Sequence, residues 1–184
     1  RDILPLDTLF LGTAYNDLGM NLQDLGRRTE ARDFLNKAIS ILASFNDHQS
    51  LADSKSNLAS LSYAEGKFEE AITLFKEAYA IDLLTGNRNR QSSSLNNLGR
   101  IYVDWGKFDT GLEYYFKSLS LIDTLHDLKT LAIRYNNIGM AYQLMNRHRE
   151  AIQWIDKARV INEKEGMFLQ LGTRYFNLAN SWAA

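Results

Sequence analysis

A chain of 184 residues with 45% hydrophobic and 23% charged side chains is long enough to bury a sizeable core and too apolar to be disordered. Its formal net charge of −1, with no run of lysine or arginine, argues against a nucleic-acid binder, and the absence of cysteine removes disulfides, thiolate zinc sites and cysteine nucleophiles. No stretch approaches the ~18 uninterrupted apolar residues of a membrane span, no signal peptide is visible, and the start at Arg1 rather than a methionine reads as the beginning of a fragment.

Pro5 is the only proline, so nothing further along interrupts a helix. Residues 13–47 read as two helices, with Leu18-Gly19 and Leu22 in the first, Gly26 for a tight turn, Ala31 and Ala38 in the second, and Asn46-Asp47 closing the unit. Residues 48–87 repeat the scheme with Leu58-Ala59, Ser62, Gly66, Ala71 and Ala78, closed by Thr85-Gly86-Asn87. In residues 88–127 the first helix carries Leu95, Leu98, Tyr102 and Trp105 at three- and four-residue spacing, and Gly106 makes the turn. A second helix then runs from about Phe108 through Leu121, with Leu112, Tyr115, Leu119 and Ile122 on its inner side and His126-Asp127 as the closing loop. Residues 128–167 supply Ile138-Gly139, Tyr142, Asn146, Ala151 and Ala158, ending at Glu165-Gly166. The stretch 168–184 reads as one last helix with Tyr175, Leu178 and Trp182 on its packing face, either a cap or the first helix of a further repeat.

Sliding the sequence against itself by forty residues superimposes four columns of small side chains. One holds Gly19, Ala59, Gly99, Gly139 and Ala179, and another holds Gly26, Gly66, Gly106 and Asn146. The third holds Ala31, Ala71, Gly111 and Ala151, and the fourth Ala38, Ala78, Ser118 and Ala158. Helix axes approach to about 8–10 Å only where small residues sit at the contact, and added bulk there costs about 1–3 kcal/mol. The small residues therefore mark where paired helices touch.

A Leu-Gly pair and an aromatic in the first helix, followed by two alanines seven apart in the second, resembles the tetratricopeptide repeat family over nearly the whole chain. Leu22 and Ser62 depart from the tyrosine column, Asn146 from the turn glycine, and Gly111 and Ser118 from the alanines. The family's usual repeat has thirty-four residues. Forty-residue versions are similar to those of kinesin light chains, of cell-polarity scaffolds that bind G-protein regulators, of Rap-type peptide receptors and of bacterial sensor regions. The resemblance implies an all-α fold, a right-handed superhelix of antiparallel helix pairs forming a single domain over 1–184, with repeats 13–47, 48–87, 88–127 and 128–167 and a further helix 168–184.

In such a solenoid the first helices line the concave side, and helical rotation of 100° per residue selects the inward set. It comprises Thr13, Asp17, Met20 and Asp24, then Asp53, Asn57, Ser60 and Ala64, then Ser93, Asn97, Arg100 and Asp104. The fourth repeat gives Ile133, Asn137, Met140 and Leu144, and the last helix Thr173, Asn177, Asn180 and Ala184. Asn57, Asn97, Asn137 and Asn177 form one column, and each amide both donates and accepts. In the kinesin-type and polarity-type relatives asparagines of this column hold a peptide backbone; the alternative is that they bond a neighbouring helix and set stacking. Four hydrogen bonds at about 0.5–1.5 kcal/mol each do not offset an association cost of about 4–15 kcal/mol, so side-chain pockets must contribute. Ile133, Met140 and Leu144, with Met145 nearby, make the fourth repeat the best pocket, unless they pack against neighbouring first helices. Arg100 pairs either with Asp104 or with a ligand carboxylate. Asp17, Asp24 and Asp53 disfavour an acidic ligand in the first two repeats.

Other chemistry is sparse. His48 and His126 are read in loops and His148 at the start of a second helix, so a metal site would need distant partners and none is expected. No nucleophile and base are paired by a recognisable spacing, and no phosphate loop follows a strand. The expectation is a non-catalytic module without cofactor that binds a peptide or partner protein in its groove, with no nucleic-acid or membrane contact. The alternative is a ligand-sensing regulatory domain of a bacterial histidine kinase or transcription regulator. The compartment is left open, cytoplasmic or, for a bacterial sensor region, periplasmic.

Overall fold

The computed structural model describes residues 5–124 and 126–182, with side chains at 7–124, 126–167, 172–179 and 182. Nine helices and no strand occur among the described residues: α1 (Pro5–Asp24), α2 (Arg28–Leu42), α3 (His48–Ala64), α4 (Phe68–Leu84), α5 (Arg88–Asp104), α6 (Phe108–Leu119), α7 (Leu128–Leu144), α8 (His148–Lys164) and α9 (Phe168–Trp182). They fall into two compact units, Arg1–Ser94 and Leu95–Ala184, with the division inside α5. The first helix reaches back to Pro5, ahead of the expected residue 13, and α6 stops two residues short of Leu121.

Each helix pair is built from the same local devices. Gly106 adopts φ 77 after α5, and Asn146 adopts φ 57 at the equivalent place after α7. Lys107 N–H donates to the Tyr102 carbonyl at 2.8 Å and Gly106 N–H to Val103 at 2.9 Å, while Arg147 and Asn146 repeat both bonds onto Tyr142 and Gln143. These paired bonds close the helix ends with a left-handed residue. Asparagine tolerates that conformation better than other side chains, which is why Asn146 replaces glycine without changing the turn. The closing loops have a second role as helix caps. Asp47 accepts from Ser50 N–H at 3.1 Å, Asn87 from Arg90 N–H at 3.2 Å and Asp127 from Thr130 N–H at 3.1 Å. His48 is accordingly the first residue of α3 rather than part of a loop.

In the first unit α1 packs on α2 and α3 on α4. Leu22, Ala31, Leu35, Leu58 and Leu61 form a buried core, with Phe34, Ile39 and Leu74 against it. A Cβ on Gly19 would sit 2.7 Å from Leu35 Cγ and 3.2 Å from the Ala31 carbonyl oxygen. Ser62, in the column expected to hold tyrosine, is fully buried and donates to the Leu58 carbonyl at 2.8 Å. Its small hydroxyl also accepts from Arg32 at 3.1 Å, and Arg32 reaches on to Glu65 and Glu70, each at 2.7 Å.

The second unit repeats this packing more tightly. A Cβ on Gly99 would lie 2.5 Å from the Tyr115 ring and 3.0 Å from the Gly111 carbonyl oxygen, and one on Gly111 would lie 2.5 Å from Val103 Cγ2. At Gly139 the neighbours are Ile155 at 2.5 Å and the Ala151 carbonyl oxygen at 3.1 Å. Val103, Leu112, Tyr115, Ile138 and Ala141 make the core, and Ala151, Ile155 and Leu178 continue it under α9. Met145, expected near the groove, packs against the first of these clusters instead.

Outside the turn column, two members of the apolar and small columns are exposed. Leu18 is 40% exposed, whereas Leu58, Leu98 and Ile138 are 4% or less. No helix precedes α1 among the described residues, and none follows α9, where Ala179 is exposed as well.

Candidate inner-face binding site

Exposure varies along the set of first-helix residues that the rotation argument selects. In the first unit Asp17, Met20 and Asp24 on α1 are exposed, and Thr13, Asp53, Asn57 and Ser60 are half-buried. Asp53 is not a bare charge: Arg90 meets it at 2.7 Å and extends to the buried Asp82 at 2.8 Å. The expectation that Asp53 repels acidic ligands is corrected by this neighbour, which lies outside the inward set and carries no periodic signal.

Three of the four column asparagines bond a further asparagine. Asn57 Nδ2 donates to Asn16 Oδ1 at 2.9 Å, Asn137 Nδ2 to Asn96 Oδ1 at 2.9 Å, and Asn177 Nδ2 to Asn136 Oδ1 at 3.1 Å. Every bond spans 41 positions, linking one first helix to the first helix of the preceding repeat. Each uses one of the amide's two N–H donors. Asn57, Asn97 and Asn137 are half-buried, and Asn177 is buried at 7% exposure. The acceptors Asn16, Asn96 and Asn136 were missed from the sequence, although Asn96-Asn97 and Asn136-Asn137 already show the column to be double. Asn180 and Ala184, also placed in the groove by rotation, lie outside the described side chains.

In the second unit a cavity of about 250 Å³ opens between α5 and α7, and it gathers Arg100, Asn137, Met140 and Leu144. Its floor adds Val103, Ala141 and Tyr115, the last reaching forward from α6. Tyr115 can do so because Gly99, directly against its ring, presents no side chain. Arg100 and Asp104, both exposed, set opposite charges on the rim. Met140 is 42% and Leu144 54% exposed, so neither is consumed by packing on a neighbouring helix. Ile133, 36% exposed and one turn before Asn137, lies outside the lining. The arrangement offers an apolar floor, one amide and two opposite charges, which is chemistry for holding a side chain and its backbone rather than for transforming it. His48, His126 and His148 sit at the head of α3, in the loop before α7 beside Asp123 (2.8 Å), and at the head of α8.

Residues 10–84 and 90–164 each match the model of the Tetratricopeptide repeat, together covering most of the chain. The chain belongs to the tetratricopeptide repeat family. This family membership accounts for the small-residue columns and for the left-handed turns after α1, α3, α5 and α7. The chain is 26% identical over 130 residues to the Regulatory protein RapK of Bacillus subtilis (strain 168), an alignment that takes in 70% of this chain and 35% of the relative. It therefore spans about a third of that relative's length. Among solved structures, BtubC (BKLC) from P. vanneervenii superimposes with a TM-score of 0.77 at 21% identity, over 98% of this chain and 79% of the other. The Signal Transduction ATPase with Numerous Domains protein with a tetratricopeptide repeat sensor, from Pyrococcus horikoshii, superimposes with a TM-score of 0.88 at 18% identity, over 96% and 28%. At these identities the structural likenesses establish the tetratricopeptide fold. No described helix is long and apolar enough to cross a membrane.

Proposed function

We propose that this tetratricopeptide repeat chain is a non-catalytic interaction module that holds an extended peptide, or such a segment of a partner protein, on its first-helix face. The observation that carries the reading is the cavity between α5 and α7, where Arg100, Asn137, Met140 and Leu144 converge above an apolar floor. At about 250 Å³ it is smaller than the ~300–1,000 Å³ typical of small-molecule sites. It suits a single apolar side chain, whose burial contributes about 1.5–3 kcal/mol, or roughly a 10- to 150-fold gain in affinity. The Asn137 amide beside it suits a peptide bond. A second reading is supported by the relatives' names: RapK is a regulatory protein and the Pyrococcus horikoshii repeat region is a sensor. On that reading the same face receives a signal ligand that acts on the remainder of a longer protein.

Panning a displayed peptide library against the chain, and measuring Kd by calorimetry for the selected peptides, tests the site. Met140→Glu and Leu144→Glu change exposed positions and should leave the melting temperature within about 2 °C, while weakening binding at least tenfold. Selected peptides whose Kd is unmoved by either variant would place recognition elsewhere.

A further inference from the structure

The polar groups at three successive helix junctions can be compared within this one chain, because the forty-residue register equates their positions. At the α4–α5 junction the buried carboxylate of Asp82 accepts from Arg90 Nε at 2.8 Å and from Ser94 Oγ at 3.2 Å, and Gln91 Nε2 donates to the Asp82 backbone carbonyl at 3.0 Å. Donors and acceptors balance there. At the α6–α7 junction position 82 corresponds to Ile122, and position 94 to Arg134. Arg134 is 6% exposed and donates from Nε to Ser118 Oγ at 2.9 Å. Burial pushes its guanidinium down, and the carboxylate of Asp127 opposes that push.

At the α8–α9 junction the same register places Asn162 and Arg174, 1% and 6% exposed, at the positions of the bonded pair Asp82 and Ser94. The positions that serve Arg134 are here filled by Ala158 in place of Ser118 and Met167 in place of Asp127. Asn162 Nδ2 and Arg174 Nε are both buried donors that meet no acceptor among the described residues. Burial lowers the Arg174 guanidinium with no carboxylate set against it. A buried cation and a buried amide donor left without acceptors are each costly unless a negative group completes them.

We infer that the junction beneath the α8–α9 turn is a binding site for a small monovalent anion, chloride or a simple carboxylate such as formate, held by the Arg174 guanidinium and the Asn162 amide. The anion takes the place that the Asp82 carboxylate occupies between α4 and α5, and bidentate donation from a guanidinium fits a carboxylate best. Binding there fastens α9 to α8, next to the bond from Tyr175 Oη to Glu163 at 2.6 Å.

The test is thermal unfolding of the whole chain in buffers of rising sodium formate or sodium chloride, for the native sequence and for Asn162→Asp. The native chain should show a saturable rise in Tm of about 3–6 °C by tenfold above the anion Kd. Asn162→Asp supplies its own carboxylate, so it should be more stable in anion-poor buffer and lose the saturable rise. General salt effects would be unsaturable and common to both chains, and that outcome would overturn the site. Chlorine NMR line width, broadened by the native chain and restored by excess formate, gives a direct reading that holds even if Asn162→Asp folds poorly. Chloride lines as narrow with the protein as without it would exclude chloride, and with no formate effect on Tm the inference fails.

Discussion

Gly99 is where residue size matters most. Its missing side chain lets the Tyr115 ring pass within what would be 2.5 Å of a Cβ, and the Gly111 carbonyl closes the other side at 3.0 Å. Gly99→Ala should therefore cost about 1–3 kcal/mol through overpacking, despite the better helix propensity of alanine, and lower Tm by roughly 3–10 °C. Gly172 on α9 is the control, since nothing lies within 4 Å of its Cβ position. Gly172→Ala should stabilise by about 0.5–1 kcal/mol from propensity alone. Urea unfolding of the two variants gives opposite signs if close approach, rather than helix formation, is what Gly99 serves. The forty-residue recurrence of small residues made these contacts legible before any coordinates, because sterics at a helix crossing act on the identity of one residue. Ser62 was legible only as a departure from tyrosine; that it admits Arg32 depends on a side chain thirty positions away.

Between elements, the amide bonds at a spacing of 41 tie α3 to α1, α7 to α5 and α9 to α7. A double-mutant cycle on Asn96 and Asn137, each changed to alanine, should give a coupling of about 0.5–1.5 kcal/mol in unfolding free energy. The same cycle, read by the Kd of a selected peptide, separates the two roles open to this column. A bond that only sets stacking couples in stability, while one that also meets the ligand shows a further loss for Asn137→Ala over Asn96→Ala. Rotation along a helix identified Asn57, Asn97, Asn137 and Asn177 as one stripe, but not their partners, since spacing along one helix says nothing of which neighbour lies across. Met145 fails for a related reason. It follows Leu144 in sequence, yet the chain turns there and carries its side chain back into the core.

For the molecule as a whole, acid is the perturbation to which the ion pairs answer together. Hydrogen bonding from Arg32 holds Glu70 below the usual glutamate range, and Lys67 with Arg32 does so for Glu65. Asp47 is lowered by its bonds from Ser50, and Glu163 by Tyr175 and Arg159. A folded-state pKa below the unfolded value means that the stabilisation is fully present above the unfolded range, about 3.9–4.3, and is lost as pH falls through the folded values. The melting temperature should hold from pH 7 to about 5 and drop below about 4. Arg32→Met should lower the plateau and shrink that drop, as measured by calorimetry between those limits; an unchanged acid slope would mean that this cluster contributes nothing to it. The repeat architecture was legible at this scale because every unit restates the same pattern, whereas Arg90 on Asp53 and Tyr115 under the cavity were not, because each joins helices whose pairing no single period encodes. Tyr115 also has a mechanical meaning. Its ring is wedged between the backbone at Gly99 and the Val103–Ile138 cluster, so a guest resting on it has no slack beneath. A push on the α5–α7 face would therefore pass through this one ring, and α6 is the helix on which it would register.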